Sequence, residues 1–432
     1  MHYTLALASS GLLALASAQS VGKFNFTREA HPSLSTQRCT LSGGCTALQT
    51  SLVLEADQRA LRSVANPDVL CYDSTGWNTA LCPDPTTCAK NCAPDGVDYS
   101  KILSTNGSSI TMKLKDGSPR VYLLSEDENK YQMFYLKGQE FTYDVNVADL
   151  PCGTNGALYF INMDEDGGMT PNSTNKAGPA YGTGYCDAQC PTYIRWIDGQ
   201  ANINSTRGSC CPEMDIWEAN KIATAYTPHP CSTDDKYTCD SNIANDCGIC
   251  DKGGCDWNSY KNGNTSFYGP NMTVDTNRPF TVVTQFLTSD NTTNGTLSEI
   301  RRLYIQDGVV IENSRVNIPG FKEYDSLSAD YCVDEKRVFN ATDDFTALGG
   351  FDGFSKSLDV GMVLSMSIWD DAGSYMLWLD GVFPVNAANS SAPGVARGTC
   401  GVDESIPANL EGVYDPAVTF SNIKFGDIGS TF

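Results

Sequence analysis

The chain has 432 residues with 29 Lys plus Arg against 51 Asp plus Glu, 38 Gly, 18 Cys and 20 Tyr, a globular composition and neither a disordered nor a collagen-like one. A formal net charge of −22 repels phosphate backbones and anionic head groups, which excludes nucleic acid and membrane surfaces as partners but permits an uncharged polymer. The acidic balance also suits work at low pH, where many of these carboxylates take up protons.

From the N-terminus, Leu5 to Ala16 is a short apolar run followed by Ala16-Ser17-Ala18, the small-x-small pattern that signal peptidase reads. Residues 1–18 therefore read as a signal peptide and 19–432 as a secreted, extracellular chain. No other stretch reaches the ~18–20 apolar residues of a membrane span. Ten Asn-x-Ser/Thr sequons, at Asn25, Asn106, Asn172, Asn204, Asn264, Asn271, Asn291, Asn294, Asn340 and Asn389, agree with a eukaryotic secretory route. The even number of Cys, crowded between Cys186 and Cys255, reads as a disulfide framework. Cys247-Gly248-Ile249-Cys250 is half a zinc site at most, and with three His in the chain no metal is expected.

Thr50 to Val64 has the composition of a short helix. Phe141, Tyr143, Val145 and Val147 alternate with Glu140, Thr142, Asp144 and Asn146, and Phe280 to Leu287 alternates similarly, so both read as strands. Asp307-Gly308 between apolar-rich arms, within Arg302 to Glu312, is a two-residue hairpin signal. Glu335 to Leu348 reads as a second short helix. In a later strand Met362, Leu364, Met366 and Ile368 share one face and Val363, Ser365, Ser367 and Trp369 the other, which is too polar for core. On that face Trp369 is either an ordinary buried Trp or a platform for the C–H face of a sugar ring. With no repeat, no linker and no Cys-rich tail module, the expectation is one antiparallel all-β domain of two packed sheets, monomeric and without a separate binding module.

The densest chemistry lies in Cys210-Cys211-Pro212-Glu213-Met214-Asp215-Ile216-Trp217-Glu218-Ala219-Asn220. Glu213 and Asp215 share one face of a strand, while Met214 and Ile216 face the core. Glu218 would point into the core on a regular strand, at a high desolvation penalty, unless a β-bulge near Trp217 returns it to the face of the other two acids. Retaining glycoside hydrolysis needs such a set: one carboxylate attacks the anomeric carbon, a protonated second serves the leaving oxygen, and the two lie about 5–5.5 Å apart. A third acid can orient the nucleophile while mutual repulsion raises the proton affinity of one member. A solvated acidic face and a calcium site remain the alternatives.

Tyr181-Gly182-Thr183-Gly184-Tyr185-Cys186-Asp187-Ala188-Gln189-Cys190-Pro191, Glu213 to Asn220, Thr227-Pro228-His229-Pro230-Cys231 and Asn264-Thr265-Ser266-Phe267-Tyr268-Gly269-Pro270 closely resemble glycoside hydrolase family 7, the fungal endoglucanases and reducing-end cellobiohydrolases. The likeness runs from His31-Pro32 to Phe420-Ser421-Asn422-Ile423-Lys424-Phe425. It implies a concanavalin-like β-jelly roll with a cleft for cellulose or a related β-1,4-glucan, and no cofactor. It also implies Glu213 as nucleophile, Glu218 as general acid/base, Asp215 as the residue hydrogen-bonded to the nucleophile, and His229 as a cleft histidine close to the acid/base. Tyr159, Tyr185, Asp187 and Gln189 match subsite positions, and Trp369 and Trp378 match sugar platforms. The implied disulfides join Cys39–Cys45, Cys71–Cys92, Cys82–Cys88, Cys152–Cys400, Cys186–Cys211, Cys190–Cys210, Cys231–Cys250, Cys239–Cys247 and Cys255–Cys332.

Departures from the family pattern bear on the mode of attack. Only Ala201 to Ser209 separates Gln200 from Cys210-Cys211, where the cellobiohydrolases carry a long roofing insertion. The loop between Cys239 and Cys250 is short, Gly253 stands in place of a product-site Asp, and Gln58 and Ala60 in place of tunnel-entrance Trp residues. Asp256, Arg397 and the long Tyr331 to Leu348 segment instead resemble the cellobiohydrolase product side. The balance favours an endoglucanase, with a cellobiohydrolase second and a glucan-binding lectin-like protein third.

Overall fold

The computed structural model describes residues 29–170, 174–240, 247–411 and 414–432. The signal-peptide reading and the sequons at Asn25 and Asn172 lie outside them. The main sheet runs from Trp257–Asn258 at one edge through Thr224–His229, Glu213–Ala219, Thr154–Ile161, Met362–Asp370, Arg120–Leu124 and Gly44–Leu54 to Ser33–Thr40. It continues through Ala417–Asp427, Gln139–Asn146, Phe280–Thr288 and Leu297–Gln306 to Val309–Glu312. Pairing along this path is antiparallel except where Gln37–Cys39 lies parallel to Lys424–Gly426.

The path folds over on itself because alternate residues of both halves are apolar. Phe160 of the first half meets Phe141 of the second edge-on at 4.9 Å between ring centroids. Trp217 likewise meets Tyr143 at 6.2 Å and Phe280 at 5.9 Å. These contacts make the two halves facing layers of a β-jelly roll around one large core. Trp217 is fully buried at its centre, and truncating such a side chain costs about 3–5 kcal/mol.

The expected strands form, and Asp307 and Gly308 make their hairpin with φ of 54° and 75°. Met362, Leu364, Met366 and Ile368 enter the core, which turns Ser365, Ser367 and Trp369 to the other face. Thr50 to Val64 corrects a sequence expectation. Its first residues end the Gly44–Leu54 strand, a 3-10 turn follows at Ala56–Gln58, and Leu61–Ser63 is a strand. Thr50 pairs with Leu34 and Ser51 with Leu124, so partners on both sides override the local helix propensity of the segment. The later helix starts earlier than expected, at Ala329, capped by the Ser328 hydroxyl, and ends at Phe339 before Asn340 with φ 53°. A separate turn of helix covers Asp344–Ala347.

All nine implied disulfides are present and no free cysteine remains. Cys247 and Cys250 belong to different bridges, which removes the half zinc site.

Candidate active site

The strand Glu213–Ala219 carries the acids. Asp215 lies opposite Thr227, and Glu218 opposite Ala225, so three steps on this strand match two on its neighbour. The other neighbour is also out of step, with Phe160 opposite Met214 and Leu158 opposite Trp217. This is the one-residue bulge that the placement of Glu218 requires. Met214, Ile216 and Trp217 consequently sit in the core, while Glu213, Asp215 and Glu218 line a cleft of about 1240 Å³ on the opposite face.

Each acid is held differently. Glu213 accepts a hydrogen bond from the Ala188 backbone N–H at 3.0 Å, and Asp215 interacts with Glu213 on one side. On its other side Asp215 meets His229 Nε2 at 2.9 Å. Glu218 accepts from the Asn155 amide at 2.9 Å. His229 stands directly opposite Glu213 on the neighbouring strand and contacts Asp215, its Nδ1 lies 2.8 Å from the Asp251 carbonyl, and its charge also acts on Glu218.

Burial pushes all three carboxyls up, and Asp215 adds its charge against Glu213 and Glu218, whereas the hydrogen bond with Glu213 lowers Asp215. Glu213 lies well above the usual range, driven by burial and then by Asp215 and Asp187. Asp215 is pushed up to about 8, mainly by burial. Glu218 is also well above its ordinary value, through burial and then Asp215. A set of acids this close in low dielectric releases its protons stepwise, so one member can stay protonated where another is ionised.

The remaining predicted residues line the same cleft. The Tyr185 hydroxyl donates to Asp187 at 2.6 Å and lies 3.3 Å from that of Tyr159. Gln189 donates to the Lys252 carbonyl at 3.0 Å, tying the approach to Glu213 to the turn containing Gly253. Trp369 and Trp378 stack on each other with centroids 6.1 Å apart, as a paired aromatic wall. Beyond them Arg397 approaches Asp256 at 3.5 Å, and Lys261 bridges Asp256 to Glu335. Burial pushes the Asp256 carboxyl up, but Lys261, Arg397 and Lys336 outweigh it and hold it well below the usual carboxylate range.

Two functional candidates were absent from the sequence reading. Asn155 is fully buried; its amide N–H reaches Glu218 while its oxygen accepts from the Ala219 N–H at 3.0 Å, which fixes the amide's orientation. It lies four residues from Tyr159 on the same strand face, a period-two signal that could have found it. Arg120, at the other end of the cleft, pairs with Glu55 at 2.6 Å and places its guanidinium 3.6 Å from the centroid of the Tyr185 ring.

The family model for glycosyl hydrolase family 7 matches residues 23–432. The chain belongs to that family. Among solved structures, a family 7 cellobiohydrolase from Daphnia pulex is 42% identical, covering 96% of this chain and 100% of that one, with a TM-score of 0.91. The Humicola insolens endocellulase EGI is 39% identical over 94% and 98%, with a TM-score of 0.82. A cellobiohydrolase from Melanocarpus albomyces, solved with cellotetraose, is 38% identical over 94% and 98%, at 0.86. As a family 7 glycoside hydrolase the chain shares its fold with both endo- and exo-acting proteins, so the mode of attack turns on its own cleft.

Proposed function

We propose that the chain is a secreted, monomeric retaining β-1,4-glucanase that hydrolyses internal bonds of cellulose. The observation that carries retention is the row of Glu213, Asp215 and Glu218 on one strand face, brought together by the bulge. Glu213 attacks the anomeric carbon while Glu218 gives its proton to the leaving oxygen; Glu218 then takes a proton from the water that releases the glycosyl–enzyme. Asp215, braced by His229, holds the nucleophile in line, and Asn155 holds the acid. Trp369 and Trp378 offer apolar faces to the sugar rings.

Support for internal cutting comes from Ala201–Ser209. The Asn202 amide reaches the carbonyls of Thr192, Ile194 and Arg207 at 2.9–3.1 Å and folds the segment into a compact turn. None of residues 200–211 lines the cleft, so this stretch supplies no roof over the glucan. A cleft open on that side accepts the middle of a chain. A second reading, a reducing-end cellobiohydrolase, draws on the Asp256–Lys261–Arg397 group and on the higher TM-scores of the two cellobiohydrolases.

The test is a viscosity trace on carboxymethylcellulose beside reducing-end release. Internal cutting makes viscosity fall steeply while few reducing ends appear. Cellobiose as the nearly exclusive early product, with viscosity unchanged, would establish the second reading, and no reducing ends at all would leave a glucan-binding protein. Proton NMR of the first product checks the mechanism, with the β-anomer expected and an initial α-anomer excluding double displacement.

A further inference from the structure

A second concavity, of about 490 Å³, lies away from the cleft and shares no lining residue with it. That volume falls in the range of pockets that hold small ligands, about 300–1,000 Å³. Its wall is mostly polar and charged, with buried Leu358 and the Cys39 disulfide as apolar lining and one exposed aromatic residue, Tyr135, at 61%. Arg38 offers a guanidinium and Gln139 an amide, while Asp359, paired with Lys137 at 2.7 Å, and Asp427, which accepts from the Leu41 N–H at 3.1 Å, each keep lone pairs for a further bond. An exposed aromatic ring set among hydrogen-bonding groups of both kinds is the surface a pyranose needs, since the ring meets its C–H face and the polar groups meet its hydroxyls.

The rim of this pocket also contains a point of attachment. Asn294 lines it and begins the sequon Asn294-Gly295-Thr296, at the exposed tip of the hairpin between Phe280–Thr288 and Leu297–Gln306. The tip is packed against the pocket, because a Cβ built on Gly138 would come within 3.1 Å of the Thr292 and Thr293 backbone. A side chain there would have to push the tip outward, and Gly138 also has φ of 64°, which favours glycine. The adjacent sequon Asn291-Thr292-Thr293 sits on the same tip, but Asn291 does not line the pocket.

We propose that Asn294 carries an N-linked glycan whose first sugars lie in this pocket against Tyr135. Glycosyl transfer forms a bond from the Asn294 side-chain amide nitrogen to C1 of N-acetylglucosamine as the C1–O bond of the lipid-linked diphosphate donor breaks; the lipid diphosphate leaves and the displaced amide proton passes to solvent. The tether keeps the sugar at high effective concentration beside the ring, so weak stacking is enough to seat it. The seated glycan pins the hairpin tip to the strand ends at Thr40 and Asp427.

The inference rests on the secretory route proposed above, and glycopeptide mass spectrometry of the full chain secreted from a eukaryotic host separates the two. Failure of the chain to be secreted would sink the secretory reading; secreted chain with Asn294 unmodified would sink this one. Given an occupied Asn294, Asn294→Gln is expected to lower the melting midpoint by about 1–2 °C, and Tyr135→Ala by the same amount, with no further loss when the two are combined. Asn291→Gln should leave the midpoint unchanged, as should Asn294→Gln in unglycosylated protein from bacteria. Additive losses, or an equal effect of Asn294→Gln without the glycan, would overturn the seating. A free cello-oligosaccharide that protects Tyr135 in unglycosylated protein, with no glycan effect in the secreted form, would assign the pocket to an external glucan and overturn the proposal as well.

Discussion

Two groups of buried carboxylates lie in the same cleft and end on opposite sides of the ordinary carboxylate range. Glu213, Asp215 and Glu218 are held above their ordinary range, whereas Asp256 is held below it. Desolvation acts on all four in the same direction. The difference lies in the company: the catalytic row has other acids and one imidazole, while Asp256 has Lys261, Arg397 and Lys336. Burial without cations gives groups that can store and move a proton, and burial with cations gives a fixed negative charge for binding.

The largest expected effect comes from Glu213, the proposed nucleophile. Glu213→Gln should cut turnover by at least about a thousandfold on aryl cellobiosides while leaving glucan binding nearly intact. It should also sharpen the comparison through stability. A carboxyl whose pKa is raised in the folded state gives its full stability below the unfolded value and loses it as pH rises through the folded value. The wild-type melting midpoint should therefore decline as pH rises above about 4.5, and Glu213→Gln should flatten that decline. A variant less stable than wild type at neutral pH would break the account of the catalytic row.

Glu218→Gln should lower turnover by about 10²–10⁴-fold on unactivated glycosides and far less on substrates whose leaving group needs no proton. Equal losses on both kinds of substrate would remove Glu218 from the acid role.

Asp256→Asn tests the other group. It leaves buried cations without their anion, and removal of one partner from such a network costs about 3 kcal/mol or more. Because its folded pKa is depressed, Asp256 contributes stability above pH 3.8 that is lost only as pH falls further toward the folded value. The deficit measured by denaturant titration should thus persist from pH 7 down to about pH 4. A deficit already vanishing at pH 6 would mean that the cations do not control this carboxylate.

Asn155→Ala should have the smallest effect on rate, about tenfold, with a diagnostic shift in the pH profile. The Asn155 N–H stabilises ionised Glu218, so its loss raises the pKa of the acid and moves the alkaline limb of kcat to higher pH. Asp215, His229 and Asp256, which also act on Glu218, are unchanged in this variant. A limb that stays in place would reduce Asn155 to a packing role.

The acids were legible in the sequence because their chemistry is local: alternation places Glu213 and Asp215 together, and the penalty for a buried Glu218 demands a bulge. The partners were not legible for the same reason reversed. Asn155 reaches Glu218 from a strand about 60 residues away, Arg397 meets Asp256 from 141 residues away, and Lys261, though only five residues from Asp256, joins it to Glu335 74 residues on. Thr50 to Val64 misled because its Ala, Leu, Arg and Glu favour a helix in isolation, while pairing with strands on either side decides the outcome.

The two bridges at Cys210 and Cys211 have a consequence for where the enzyme can be made. They tie the residues just before Glu213 to Cys190 and Cys186, so the segment that supplies the Ala188 N–H and the strand that carries the nucleophile are fastened together by oxidation. A chain synthesised in a reducing cytosol can assemble much of its apolar core and still leave these two segments unfastened. Specific activity per folded molecule then becomes a record of the thiol chemistry of the producing compartment, and an oxidising host or an oxidative refolding step is a requirement of the active site.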